Sequence, residues 1–325
     1  METKIDASLF KPIEARTDNI NEIARPSLTY WQDAWRRFKR NKPAMIGLIT
    51  IITLILCAIF IPFFWPYDYA DQIRGHESQT PSWQHPFGTD SLGRDLFIRV
   101  MYGARISLSI GLVASLINLT IGVLYGGISG YVGGRVDNIM MRIVDILYSV
   151  PLLLYVILFQ VVLEKPIELA FESTFLRVFK GVGSDLILIY IVLGLVYWVD
   201  MARIVRGQVL SLKNQEFVLA AKAQGASAWR IIRKHLIPNA IGPIIVTVTL
   251  AIPSAIFTEA FLSFIGIGVS APMASLGTLA SDAYRGFRSY PYLLFFPAIF
   301  ICITMIAFNL IGDGLRDALD PHMRK

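Results

Sequence analysis

The length of its apolar runs constrains this chain most. The block at 44–65, "AMIGLITIITLILCAIFIPFFW", carries no charge. A helix needs about 20 such residues to cross a hydrocarbon core of about 30 Å. Further runs lie near 106–128, 139–163, 186–199, 237–267 and 292–311. Overall the chain is 54% hydrophobic and 17% charged, and the excess over a soluble domain is concentrated in these blocks. The expected fold class is all-α, a polytopic membrane bundle of six transmembrane helices. The run at 186–199 is the short one. It reads as a full span only if extended to Ala202, with Asp200 at the water boundary, and otherwise as a re-entrant or buried helix.

Lys and Arg near the span ends orient the chain. One set of alternate loops holds Arg36, Arg37, Lys39, Arg40, Lys42, Arg135, Arg203, Arg206, Lys213, Lys222, Arg230, Arg233, Lys234, Arg316, Arg324 and Lys325. The other holds Arg74, Arg94, Arg99, Arg105, Lys165, Arg177, Lys180, Arg285 and Arg288. The richer set is expected in the cytoplasm, with both termini, and this works only with six spans. The net charge of +6 is assigned to these flanks and not to nucleic acid, since no basic run interleaved with aromatics lies elsewhere.

The expected organisation follows. Residues 1–43 form a retained cytoplasmic tail, because the apolar block starts too late for a secretory signal. Within it Trp31, Trp35 and Phe38 share one helical face among basic residues, which suits an interfacial helix against membrane lipid. Then come the first span at 44–65, an extracytoplasmic loop at 66–105, a transmembrane core of about five helices at 106–312, which includes the stretch 205–238, and a cytoplasmic tail at 313–325. In the outer loop Gly88, Asp90, Gly93 and Asp95 signal turns. Cys57 and Cys302 sit in apolar segments and read as small hydrophobes.

No motif in the chain carries bond chemistry. GxxxxGK[ST], HExxH and GxSxG are absent, and His76, His85, His235 and His322 all lie outside the spans. Metal-ligand spacing is absent too, so no metal and no cofactor is expected in this chain. Ionisable residues near or within spans are candidates for function, because a charge in the bilayer is costly unless paired or wet. Arg142 with Asp145, and Asp200 with Arg203, are each one turn apart and read as structural ion pairs within their helices. Glu259 lies deeper. It could line a water-filled path, bond to a neighbouring span or stay protonated. An ion-coupled secondary transporter would use it, whereas a membrane enzyme has no visible constellation. Pro151 and Pro253 are expected to kink their spans, and the small residues from Gly122 to Gly134 to allow close packing.

Between the fourth and fifth spans lies "EFVLAAKAQGASAWRIIRKHLIP", 216–238. Ala220 and Ala221 favour a short helix, Gly225 suits the residue past its end and Ser227 the N-cap of a second helix. The second helix places Trp229, Ile232 and Leu236 on one side, and Pro238 closes it. An elbow of this size, spanning 205–238 with its flanks, exceeds what a plain connection needs. It reads as a docking handle.

Here the sequence resembles the permease subunits of bacterial binding-protein-dependent ABC importers. Their cytoplasmic motif is EAA, three residues, Gly, nine residues, I-x-L-P. This chain has Ala220, Ala221, Gly225 and Pro238 in register, and departs at Leu219, His235 and Ile237. "HPFGTDSLGRDLFIRVMYGARISLSIG", "FLSFIGIGVSAPMASLGTLASDA" and "IGDGLRDALDPHMRK" are similar to the C-type permease of oligopeptide and dipeptide importers, a branch that includes nickel importers. The resemblance implies that the elbow is a coupling helix, with Glu216, Phe217, Ala220, Ala221, Gly225, Ala226, Ser227, Trp229 and Pro238 facing or shaping an ATPase groove. It implies a homologous B-type permease, two ATPase subunits holding ATP and magnesium, an extracytoplasmic peptide-binding protein, and a multi-pass place in the bacterial inner membrane.

Overall fold

The computed structural model describes residues 29–172, 183–271 and 273–320. The expectations for 1–28, for Arg177 and Lys180 and for 321–325 lie outside them. Among the described residues the regular structure is helical, apart from one isolated bridge between Thr89 and Asp95. A short amphipathic helix, α1 (Tyr30–Arg40), is capped by a reciprocal Thr29–Gln32 box and turns at Asn41 into α2 (Lys42–Phe64). The second span is a continuous helical rod of 37 residues, Leu96–Val132. It comprises α3 (Leu96–Ile117), a π turn at Asn118–Gly122 and α4 (Val123–Val132). It starts ten residues before the sequence-based boundary because Asp95 caps it, accepting from the Ile98 N–H at 2.9 Å.

The third span departs most from expectation. It is a pair of helices, α5 (Gly134–Ser149) and α6 (Leu152–Glu172), bent by 85°. Pro151 has no N–H to give, and it forces the preceding Val150 out of the helical region, to φ −88° and ψ 124°. The freed carbonyls of Ile146 and Leu147 accept instead from the Ser149 hydroxyl at 2.7 Å and the Tyr155 hydroxyl at 3.2 Å. The fourth span is full length, Ser184–Leu212, made of α7 (Ser184–Val196) and α8 (Trp198–Leu212). Pro253 lies inside α12 (Ile241–Phe264), which stays one helix. After α13 (Leu276–Tyr284), α14 (Tyr292–Leu319) closes the bundle.

Contacts sort the loops onto two ends. At one end the Tyr30 hydroxyl donates to the Leu319 carbonyl and the Lys213 ammonium to the Gly130 carbonyl. At the other, Tyr292 donates to the Thr89 carbonyl, Ser281 to the Phe264 carbonyl and the Ser270 N–H to Asp185. The chain therefore leaves α4 at the first end and enters α7 at the second, so the bent pair must cross between them. With the bent pair counted as one broken span, the described residues hold six candidate spans. Cys57 and Cys302 are free thiols.

Helices α4 and α8 pack closely. Gly122, Gly126 and Gly130 repeat every fourth residue and face α8. A methyl at Gly126 would strike the Ala202 backbone, and one at Gly122 would lie 2.6 Å from the Met201 side chain. Small residues that let backbones approach are the main adhesive where lipid removes the hydrophobic gain between helices. Gly126→Val should therefore destabilise the bundle by about 2–3 kcal/mol through overpacking. Gly207→Ala on α8, where a methyl meets nothing within 4 Å, should be neutral or slightly stabilising. Thermal unfolding in detergent separates the two.

Candidate functional site: the elbow between α8 and α12

Helix α8 leads through Lys213–Gln215 into α9 (Glu216–Ala223). The stop is a Schellman arrangement. Gly225 adopts φ 77°, its N–H donates to the Lys222 carbonyl at 2.9 Å, and the Ala226 N–H donates to the Ala221 carbonyl at 3.0 Å. Any side chain at Gly225 would strain this backbone. Ser227 then caps α10 (Ala228–Ile231), its hydroxyl accepting from the Arg230 N–H at 3.4 Å. A π turn at Ile232–Leu236 follows, then α11 (Ile237–Asn239) with Pro238 in its first turn. The Asn239 amide donates to the His235 carbonyl at 2.6 Å.

The elbow has two faces. Val218, Ala221, Ile231, Ile232 and Leu236 are buried against Val123, Met201, Val205, Val209 and Ile244. Glu216, Phe217, Ala220, Gly225, Ser227, Trp229 and Pro238 are exposed, and Ala226 is half-buried. Ala221 thus belongs to the mount and not to the outer surface. The outer face carries large apolar groups, with Phe217 39%, Leu219 52% and Trp229 51% exposed. It also carries Arg230, Arg233 and Lys234, all exposed. Lys222 reaches back over the Tyr131 ring at 5.4 Å. Leu219, where the resembled motif has Glu, adds to the apolar patch.

The expected ion pairs within helices are replaced by pairs between helices. Arg203 meets Asp145 at 3.0 Å, and its guanidinium lies over the Tyr148 ring at 4.3 Å. Arg206 grips Asp137 with Nε at 2.5 Å and Nη2 at 2.7 Å, while Ser129 donates to the same carboxylate at 2.5 Å. Among the described residues no ion pair joins Arg142 to Asp145 or Asp200 to Arg203. The reason is geometric: α5 lies beside α8, and Arg203, stacked over Tyr148 of α5, reaches Asp145 across the gap instead of Asp200 one turn along its own helix. Asp137 and Arg206 went unnoticed in the sequence, since they are 69 positions apart. Arg206→Leu should cost about 2 kcal/mol by stranding Asp137. Adding Asp137→Asn should recover part of that loss in a thermal double-mutant cycle.

Glu259 is fully buried. Ser107 on α3 donates to it at 2.8 Å and Ser263, one turn on, at 2.7 Å. Ser263 also accepts from the Val269 N–H at 3.2 Å. The carboxyl group therefore joins α3, α12 and the loop after α12, and lines no open path within this chain. Neither serine was among the sequence candidates; the four-residue spacing of Ser263 from Glu259 could have signalled it, whereas Ser107 had no local signal. Glu259→Gln, which can keep both contacts, should leave transport intact. Glu259→Leu should lower stability by about 2 kcal/mol by orphaning the hydroxyls. Uptake and melting of the two variants check this.

At the opposite end the 65–95 loop is organised by Asp95. Its Oδ2 lies 2.6 Å from His85 Nδ1, and His85 Nε2 lies 3.2 Å from His76 Nδ1. Nearby, the backbone N–H groups of Glu77 itself and of Gly75 hold the Glu77 carboxyl below the usual carboxylate range.

With this geometry the relatives can be compared. Residues 122–325 match the family described as the binding-protein-dependent transport system inner membrane component. The chain belongs to that family of permeases. Residues 29–81 match the N-terminal transmembrane domain of oligopeptide transport permease C. The oligopeptide transport system permease OppC of Bacillus subtilis is 52% identical over 99% of each chain. The dipeptide permease DppC of the same organism is 50% identical over 94% of this chain and 90% of its own. OppC of Escherichia coli is 44% identical over 90% and 92%. Two solved forms of the MetNI methionine ABC transporter, described as inward facing, share the fold. Each has a TM-score of 0.52 and covers 69% of this chain, with 18% and 22% identity. These findings support an ABC permease and give no support to an ion-coupled carrier built on Glu259. The family match covers the whole elbow.

Proposed function

We propose that this chain is one half of the translocation path of a peptide importer, and that its elbow is the seat of a cytoplasmic ATPase. The relatives named for oligopeptide and dipeptide transport support the substrate class. The observation that carries the coupling role is the two-faced elbow. Its inner face is cemented to α8 and α12, and its outer face presents Phe217, Leu219 and Trp229 to water. Exposed aromatic anchors on a rigid mount are the usual centre of an interface, and a neighbouring groove that took them would grip the bundle directly.

The proposed cycle uses no bond chemistry in this chain. ATP and magnesium act in two partner ATPases, whose closure carries the elbow with it. α8 and α12 tilt, and the path between this permease and its B-type homologue switches the side it faces. An extracytoplasmic binding protein releases peptide into the open path, and hydrolysis resets it. This is alternating access driven by the different affinities of partners for the two states. The positive-inside pattern supports a cytoplasmic position for both termini and the elbow.

The test is Phe217→Ala with Trp229→Ala. Both side chains are exposed, so the bundle should melt as the parent does. Loss of two anchors worth about 2 kcal/mol each should cut ligand-stimulated ATP hydrolysis by at least about tenfold and abolish uptake. Undiminished stimulated hydrolysis in the folded double variant refutes the coupling role.

A further inference from the structure

We propose that the groove framed by α1, α12 and α14 is a binding site for one anionic phospholipid, with its acyl chain in the groove and its headgroup on Lys39 and Arg316. Trp31, Ala34, Trp35 and Phe38 of α1 form one wall. Ile245 of α12 and Leu315, Ala318 and Leu319 of α14 form the other, around a cavity of about 180 Å³. Leu319 is shared with an adjoining groove of about 290 Å³ between α12 and α14, whose mouth carries Arg316. Every described side chain that lines the first groove is aliphatic, phenyl or indole, which suits an acyl chain lying along it.

Two further features select a lipid, and an anionic one. Trp31 and Trp35 are each about half exposed at the rim, and Trp is favoured at the level of lipid headgroups. The segment 30–42 holds five basic residues against one acid. That acid, Asp33, is taken by Arg37 at 3.0 Å. Lys39 flanks the groove with its ammonium 5.2 Å above the Trp35 ring. Arg316 is exposed at the adjoining mouth. Neither makes an ion pair among the described residues. Of the acids on that part of α14, Asp317 accepts from Asn41 at 3.5 Å, Asp313 points to water and Asp320 lines the adjoining groove.

The experiment uses the full chain in nanodiscs of phosphatidylcholine doped with dibrominated phosphatidylglycerol or dibrominated phosphatidylcholine. Bromine quenches indole fluorescence on contact, and Trp31→Phe/Trp35→Phe assigns the signal. Each cation near the surface favours an anionic headgroup by about fivefold. The quenching assigned to Trp31 and Trp35 should therefore appear at about fivefold or more lower mole fraction of the glycerol lipid. Lys39→Gln with Arg316→Gln, both on exposed side chains, should make the two lipids equal. Equal quenching by both lipids in the parent would mean annular contact only. That result overturns the proposal, as does a preference that survives removal of Trp31 and Trp35 or of both cations.

Discussion

The close approach of α4 and α8 is the contact on which the rest of this bundle rests. In lipid two helices gain little by hiding apolar surface from each other. What holds them is dispersion at short range, and Gly122, Gly126 and Gly130 make that range available. Once the two backbones touch, Arg206 lies within reach of Asp137 and Lys213 within reach of the Gly130 carbonyl. The same face of α8 offers Val205 and Val209 to the inner side of the elbow. Packing, charge pairing and the mount of the elbow are three results of one spacing.

The elbow is unusual because it is rigid in places where a connection is normally loose. Its first helix ends in a closed hydrogen-bonded stop, its second begins on a serine cap, and both are pinned by buried aliphatic groups. A load on Trp229 is carried by backbone geometry into α8 on one side and α12 on the other. Its apolar outer groups would be a solubility liability on a surface that stayed bare, which accords with a partner covering them.

Much of this was legible in the sequence, because the deciding signals were local. Apolar run length located the spans, and Gly225 and Ser227 fixed the elbow's stop and restart through the φ and capping chemistry that those residues favour. The register of Ala220, Ala221, Gly225 and Pro238 pointed to the family. What the sequence hid was pairing across space. Asp145 and Arg203 looked like members of two separate local pairs, whereas each reaches across to the other. Ser107 had no visible link to Glu259 across 152 positions. Pro151 announced a kink, but an 85° bend needed hydroxyls from Ser149 and Tyr155 to satisfy the broken backbone. Those are tertiary events with no periodicity to read.

That bend divides the molecule mechanically. Helix α5 is clamped to α8 by Asp137 and Asp145, whereas α6 leans on α7 through Val156, Leu188 and Val192. Between them stand only Val150 and Pro151, with no main-chain ladder to transmit torque. The third crossing is thus fastened to the fourth by two unlike attachments, charged ones below the joint and oily ones above it.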